Sequence, residues 1–268
     1  MKGLLSVLLL GILLLSLPAM AGPLELAVGA GPSFAALDSV NDSIGVFNAL
    51  LAHLNETFDV HPDVTGTIAP MPLVGRGLFL SGAERYWLTD WFGFGAHIDY
   101  FGASSSTSGF YQGDAVSRID LAYALDVVSA SLAADVAFVD LGIRIGASAG
   151  VGVHYGILDQ TVVFEIPEEY PDVIAGVPPE GESRFTGSGL GFEAGVFVAY
   201  PITEWLIIGT RVGYRSANIA ELTNEAGLPW DPDGDGRANG LNLTGFTVQI
   251  SFSIAIDLSL DGGKESVE

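Results

Sequence analysis

Phe246, Val248, Ile250, Phe252, Ile254, Ile256 and Leu258 alternate with Thr247, Gln249, Ser251, Ser253, Ala255 and Asp257. A period of two sends successive side chains to opposite faces of an extended chain, so this stretch is a strand with one apolar face and one polar or small face. The same pattern sets Val139, Leu141, Ile143, Ile145, Ala147, Ala149, Val151 and Val153 against Asp140, Gly142, Arg144, Gly146, Ser148, Gly150 and Gly152. A third copy sets Ile119, Leu121, Tyr123, Leu125 and Val127 against Arg118, Asp120, Ala122, Ala124 and Asp126. Less regular copies over 24–30, 77–86, 91–101, 192–200 and 206–214 complete a prediction of eight strands. Several are longer than the five or six residues common in soluble sheets.

The connections add an order to this set. Trp87-Leu88-Thr89-Asp90 and Pro201-Ile202-Thr203-Glu204 are short turns, and a third tight connection is predicted around Ser129 to Ala134. Longer stretches, 31–76, 102–116, 156–187 and 216–241, lie between them. Strict alternation of short and long connections is the order of an antiparallel up-and-down barrel with all short turns at one end.

Which face of such a barrel meets water is argued from charge and glycine. Asp99, Arg118, Asp120, Asp126, Asp140, Arg144, Glu193 and Arg211 all fall opposite the apolar stripes. A surface in water has little need of Gly142, Gly146, Gly150 and Gly152 in a row, whereas the narrow interior of eight strands does. The expectation is therefore a transmembrane barrel with its apolar stripe in lipid and those eight charges inside. A buried charge must be paired or hydrated. The lumen is thus either a mutually paired ladder or a narrow water path whose charges select solutes. Trp87, Trp91, Tyr100, Tyr123, Tyr155, Tyr200, Trp205 and Tyr214, placed near strand ends, suit the membrane–water belt.

The N-terminus agrees with export. Lys2, a mostly apolar run from Leu4 to Leu17 and the sequence Ala19-Met20-Ala21 read as a signal peptide over 1–21, leaving a barrel over 22–260 and a tail over 261–268. The chain carries 32 acids against 10 bases, which argues against nucleic acid as a partner. With no cysteine, disulfides, thiolate metal sites and cysteine nucleophiles are excluded.

The signal peptide, the loop alternation and the paired pieces Tyr86-Trp87-Leu88-Thr89-Asp90-Trp91 and Tyr200-Pro201-Ile202-Thr203-Glu204-Trp205 resemble the small eight-stranded bacterial outer-membrane β-barrel proteins. The resemblance spans nearly the whole chain after residue 21 and implies the outer membrane, with its lipid and the barrel-assembly machinery as partners. Many members end on an aromatic residue that this machinery reads. Here the chain continues past Leu258 to Glu268, a departure from that pattern.

Three further features bear on function. Asp231, Asp233 and Asp235 with Gly236 match the first half of a calcium loop, in which Arg237 would offer its carbonyl and Asn239 a side-chain oxygen. Asn242 stands where the loop's bidentate glutamate belongs, so the expectation is a weak calcium site or an ordinary acidic loop, and no cofactor is required. Asp42 to Asn55 is the helix candidate, with Ile44, Phe47, Leu50, Leu51 and Leu54 on one side and Asn41 or Asp42 as its cap. It sits in the first long loop, as lid, plug or stabiliser. The long loops, acidic through Glu165, Glu168, Glu169, Asp172, Glu180 and Glu182, suit divalent or organic cations.

His97, Asp99 and the serines at 104, 105, 106 and 108 are the nearest approach to a hydrolase triad, without a nucleophile elbow. The reading is a barrel with a structural or surface-interaction role toward an external ligand or protein. A narrow pore or transporter of small or apolar solutes is the alternative, and a lipid-modifying enzyme the third.

Overall fold

A computed structural model describes residues 23–60, 63–113, 116–165, 181–232 and 238–256. The predicted signal peptide and the tail lie outside the described residues.

The strands are β1 (Leu24–Ala35), β2 (Gly77–Trp87), β3 (Phe92–Gln112), β4 (Val116–Asp140), β5 (Arg144–Glu165), β6 (Gly181–Pro201), β7 (Leu206–Ile219), the two-residue β8 (Leu241–Asn242) and β9 (Gly245–Ile256). One helix, α1 (Asp38–Asp59), follows β1. Each strand from β1 to β7 pairs antiparallel with the next, β7 pairs with β9, and β9 pairs with β1, which closes an eight-stranded ring. β8 extends the β7 edge. The predicted eight-stranded antiparallel barrel with a helix in its first long loop is the observed fold.

Two short turns at one end are built alike. Thr89 Oγ1 accepts from the N–H of Trp91 at 3.3 Å and of Phe92 at 2.9 Å. Thr203 Oγ1 accepts from Trp205 and Leu206 at the same two distances. A threonine hydroxyl closing its own turn on the following backbone explains why the two sequences look related.

The third short turn is not where the sequence suggested. Ser129 to Ala134 run through the middle of β4, and the chain reverses at 141–143 instead, where Gly142 adopts φ +80°. The predicted loop over 102–116 is likewise mostly strand, with β3 and β4 joined through 113–115.

The cause of that misreading is the main feature of the fold. On β4 the odd-numbered residues face inward along its described length. Above Val127 these inward residues are apolar up to the last, Ser117: Ile119, Leu121, Tyr123 and Leu125 are buried. Below it they are Ser129, Ser131, Ala133 and Asp135, while the outward even positions become Val128, Leu132, Val136 and Phe138. The apolar residues change parity at Val127–Val128 although the strand does not end. Neighbouring strands do the same at Tyr100–Phe101 and Ile157–Leu158, and Tyr100 is paired with Val128 and Val128 with Tyr155, so the change runs across the sheet.

The molecule therefore has two storeys. In the lower one the ring is complete, with apolar residues outside. In the upper one β3 to β6 rise past their shorter neighbours; β3 leaves β2 at Gly102, and residues 103–112 add about 33 Å of strand. The inner face of this four-stranded sheet carries one apolar cluster, shared with α1, the segment 68–74 and Leu222, Trp230, Leu241 and Leu243.

Candidate functional site

Within the lower ring, the charges reach the interior from seven strands. Arg85 donates from Nε to Asp135 at 2.7 Å and from Nη1 to Glu25 at 3.1 Å. Arg144 takes the other Glu25 oxygen at 2.7 Å and lies 4.2 Å from the centre of the Trp87 ring. A layer higher, Arg215 donates to Asp99 at 3.1 Å, while Arg211 lies 3.8 Å from Glu193 and 3.2 Å from His97 Nδ1. Ser131 donates to Glu193 at 3.0 Å, and His154 Nδ1 pairs with Ser129 Oγ at 2.7 Å. Four arginines thus meet four carboxylates, Glu25, Asp99, Asp135 and Glu193, in a space that eight strands leave only just wide enough for side chains.

The glycines expected to serve that interior do so. A Cβ at Gly146 would sit 2.4 Å from the Phe197 ring, and one at Gly152 would sit 2.6 Å from Ala130 O. Gly142 belongs to the turn instead.

Of the eight predicted lumen charges, Asp99, Arg144, Glu193 and Arg211 are interior and paired. Asp140 lies at the rim, half-exposed, 3.5 Å from Arg144. Arg118, Asp120 and Asp126 are corrections: they point outward from the upper part of β4, where the apolar stripe faces in. Arg118 pairs with Asp120 at 2.5 Å with its side chain 58% exposed, and Asp126 accepts from the outward Tyr100 hydroxyl. Glu25, Arg85, Asp135 and Arg215 were missed. Asp135 was hidden by the misplaced turn, and Arg215 lay one residue past the assumed end of its strand.

Among the predicted belt aromatics, Trp91, Tyr200 and Trp205 are exposed near the short-turn end, and Tyr100, Tyr155 and Tyr214 stand on the outer wall near the parity change. Trp87 and Tyr123 do not belong to this set. Trp87, 3% exposed, floors the lumen beneath Arg85 and Arg144; Tyr123, 2% exposed, packs inside against Phe47.

The mouth is closed by α1 and the segment after it. α1 is longer than predicted, and it starts after Leu37 (φ 48°) with no side-chain cap, so neither Asn41 nor Asp42 serves as one. Asn41, Asn48 and Asn55, seven residues apart, instead hold the peptide groups of Val74, Met71 and Ile68, three residues apart on a segment running the other way. Seven helical residues advance about 10.5 Å. Three residues of polyproline II geometry advance about 9.3 Å, so the two spacings nearly match. Pro70 and Pro72 suit an extended strap without ladder hydrogen bonds. Thr107 and Ser105, from the inner face of β3, donate to Ala69 O and Pro72 O.

Of the calcium residues, Asp233, Asp235 and Arg237 lie outside the described residues. Asn239 uses its backbone to bond Leu222 and Trp230, across from α1 near Asp42. The candidate triad is not assembled: His97 points inward, whereas Ser104, Ser106 and Ser108 are exposed on the outer face.

No family model matches the chain, and no curated protein does. Solved structures similar to it include three bacterial proteins. The outer membrane protein OprG of Pseudomonas aeruginosa shares 12% identity at a TM-score of 0.39, over 88% of this chain and 96% of that one. Ail, the attachment invasion locus protein of Yersinia pestis, shares 10% at 0.40, over 88% and 100%. The outer membrane protease OmpT of Escherichia coli shares 8% at 0.33, over 90% and 97%. The resemblance is to outer-membrane β-barrels. It is one of chain path, and this barrel's role is argued from its own residues.

Proposed function

We propose that the protein is an outer-membrane barrel, exported by its N-terminal signal, whose lower ring anchors it in lipid and whose upper storey is a surface platform for an external partner. The parity change carries this reading. Below it, outward Phe94, Ile98, Val128, Leu132, Val151, Phe192, Ile250 and Phe252 form an apolar wall; above it, the outward residues of β3 include Ser104, Ser106 and Ser108, with Phe110 exposed near its end. The lower band on β3, from Phe92 to Tyr100, has about the nine to eleven residues a tilted strand needs to cross a bilayer. The upper part has the ordinary polarity of a protein in water, with its core inside and charges such as Arg118, Asp120, Asp159 and Arg184 outside.

A structural or surface-interaction role is favoured over a pore by what fills the interior. Ion pairs occupy the lower lumen, and a continuous apolar core with α1 covers the upper one. Binding of divalent cations at the acidic loop containing Asp231 is a further part of the proposal. Calorimetric titration with calcium, against Asp231→Asn, tests it separately.

The absence of cysteine allows a direct test. Ser106→Cys and Ile98→Cys are expressed in intact cells and exposed to a membrane-impermeant maleimide. Labelling of position 106 and protection of position 98 is the expected result. Equal labelling of both would overturn the membrane assignment, and discrete conductance steps in planar bilayers would favour the pore.

A further inference from the structure

We propose that the lumen holds a binding site for a small inorganic anion of chloride size, between Arg211 and His97. Several buried side-chain atoms of the lumen make no hydrogen bond among the described residues. They are the nitrogens Trp87 Nε1, His97 Nε2, Arg144 Nε, Arg211 Nε, Arg211 Nη2 and Arg215 Nε, against the oxygens Asp135 Oδ1 and Ser148 Oγ. The interior is rich in donors and short of acceptors, although its formal charges balance. An anion supplies acceptor capacity alone, whereas each water adds donors as well.

Three of these nitrogens belong to two residues that line one cavity of about 40 Å³. Arg211 is the least closely paired of the four arginines, at 3.8 Å from its carboxylate; the others have partners at 3.1 Å or less. Its Nη1 lies 3.2 Å from His97 Nδ1, and Glu193 Oε1 lies 3.3 Å from the same nitrogen. Nδ1 thus faces a guanidinium, which only donates, and a carboxylate, which only accepts. Arg211 Nε and Nη2 are donors whichever ring nitrogen of His97 carries the proton.

The rest of the lining agrees. Ser81 donates to Gln249 Oε1 at 3.1 Å, which leaves the Gln249 amide nitrogen as that side chain's free end. Glu25 also lines the cavity, but Arg85 and Arg144 hold its two oxygens at 3.1 and 2.7 Å, so its charge is matched. The cavity is large enough for a bare halide.

The test uses the full folded protein in detergent, with chloride, bromide or gluconate at equal ionic strength. The thermal unfolding midpoint, read from the folded-to-unfolded gel shift, is expected to be about 2–4 °C higher in either halide at several-fold saturation. Gluconate is too large to enter and gives no such rise. Arg211→Gln abolishes the halide difference, and His97→Gln serves the same purpose if that variant does not fold. Crystals grown in bromide are expected to show an anomalous peak beside Arg211. Equal midpoints in chloride and gluconate, or lumen density without an anomalous signal, which is water only, would overturn the proposal.

Discussion

Asn48 holds the peptide group of Met71 with both ends of its amide: Nδ2 donates to Met71 O at 3.0 Å, and Oδ1 accepts from Met71 N at 2.7 Å. Met71 is buried, so this peptide has little water to turn to. Asn48→Ala removes two bonds and strands two backbone groups, for an expected loss of about 2–4 kcal/mol from the upper storey. Limited proteolysis is expected to cut within 65–76 while the ring keeps its folded gel mobility. Resistance equal to the parent would show that the neighbouring Asn41 and Asn55 suffice.

Arg85 stands between two carboxylates, and Asp135 is fully buried. Arg85→Met leaves Asp135 as an uncompensated interior charge and is expected to cost about 3–5 kcal/mol in urea unfolding. Adding Asp135→Leu is expected to restore much of that loss, because Glu25 keeps Arg144 as its partner. A double variant no better than the single one would show that packing around Arg85, not charge, sets the cost.

Burial pushes the Tyr111 hydroxyl up to about 12 and that of Tyr123, which pairs with Ser43, also to about 12. Both lie in the upper storey. Their stabilising effect is complete below the unfolded value of 10.0 and is lost as pH rises toward 12, because only the unfolded chain releases these protons in that window. The slope is up to about 1.4 kcal/mol per pH unit for each tyrosine. Unfolding midpoints measured from pH 9 to 12 are expected to fall, and Tyr111→Phe with Tyr123→Phe is expected to flatten the curve.

Gly146 faces the Phe197 ring, which in turn lies under Arg85. Gly146→Val drives a branched side chain into that ring and into Val136 O, and is expected to lower the yield of folded barrel in refolding gels. Gly142→Ala, in the turn at φ +80°, is strained for a different reason and is expected to cost about 1 kcal/mol.

Period two revealed the strands and their number, and α1 showed through its apolar side. What it cannot reveal is which face is inside, since the periodicity of Ile119 to Val127 is the same in a lipid wall and in a soluble core. For that reason the alternation alone puts Arg118, Asp120 and Asp126 in the lumen. From Ser129 to Ala134 every residue but Leu132 is small, which blurs the alternation just after the parity change, so one continuous strand reads as two with a turn between. A signal was present in the adjacent apolar pairs Tyr100–Phe101, Val127–Val128 and Ile157–Leu158, each of which puts one large side chain on either face of the sheet. The ties at Asn41, Asn48 and Asn55 were legible only as a spacing of seven, because their partners are backbone groups and carry no side-chain code.

In the proposed membrane placement, those three adjacent pairs amount to a waterline written into the chain. Material added to β3–β6 beyond it raises the platform and lengthens its dry core without altering the ring in lipid, while material added before it makes the anchor taller. Height above the membrane and depth within it are therefore set by separate stretches of the same strands, and an insertion of two residues on each side of the β3–β4 hairpin is a change of stature that leaves every face pointing as before.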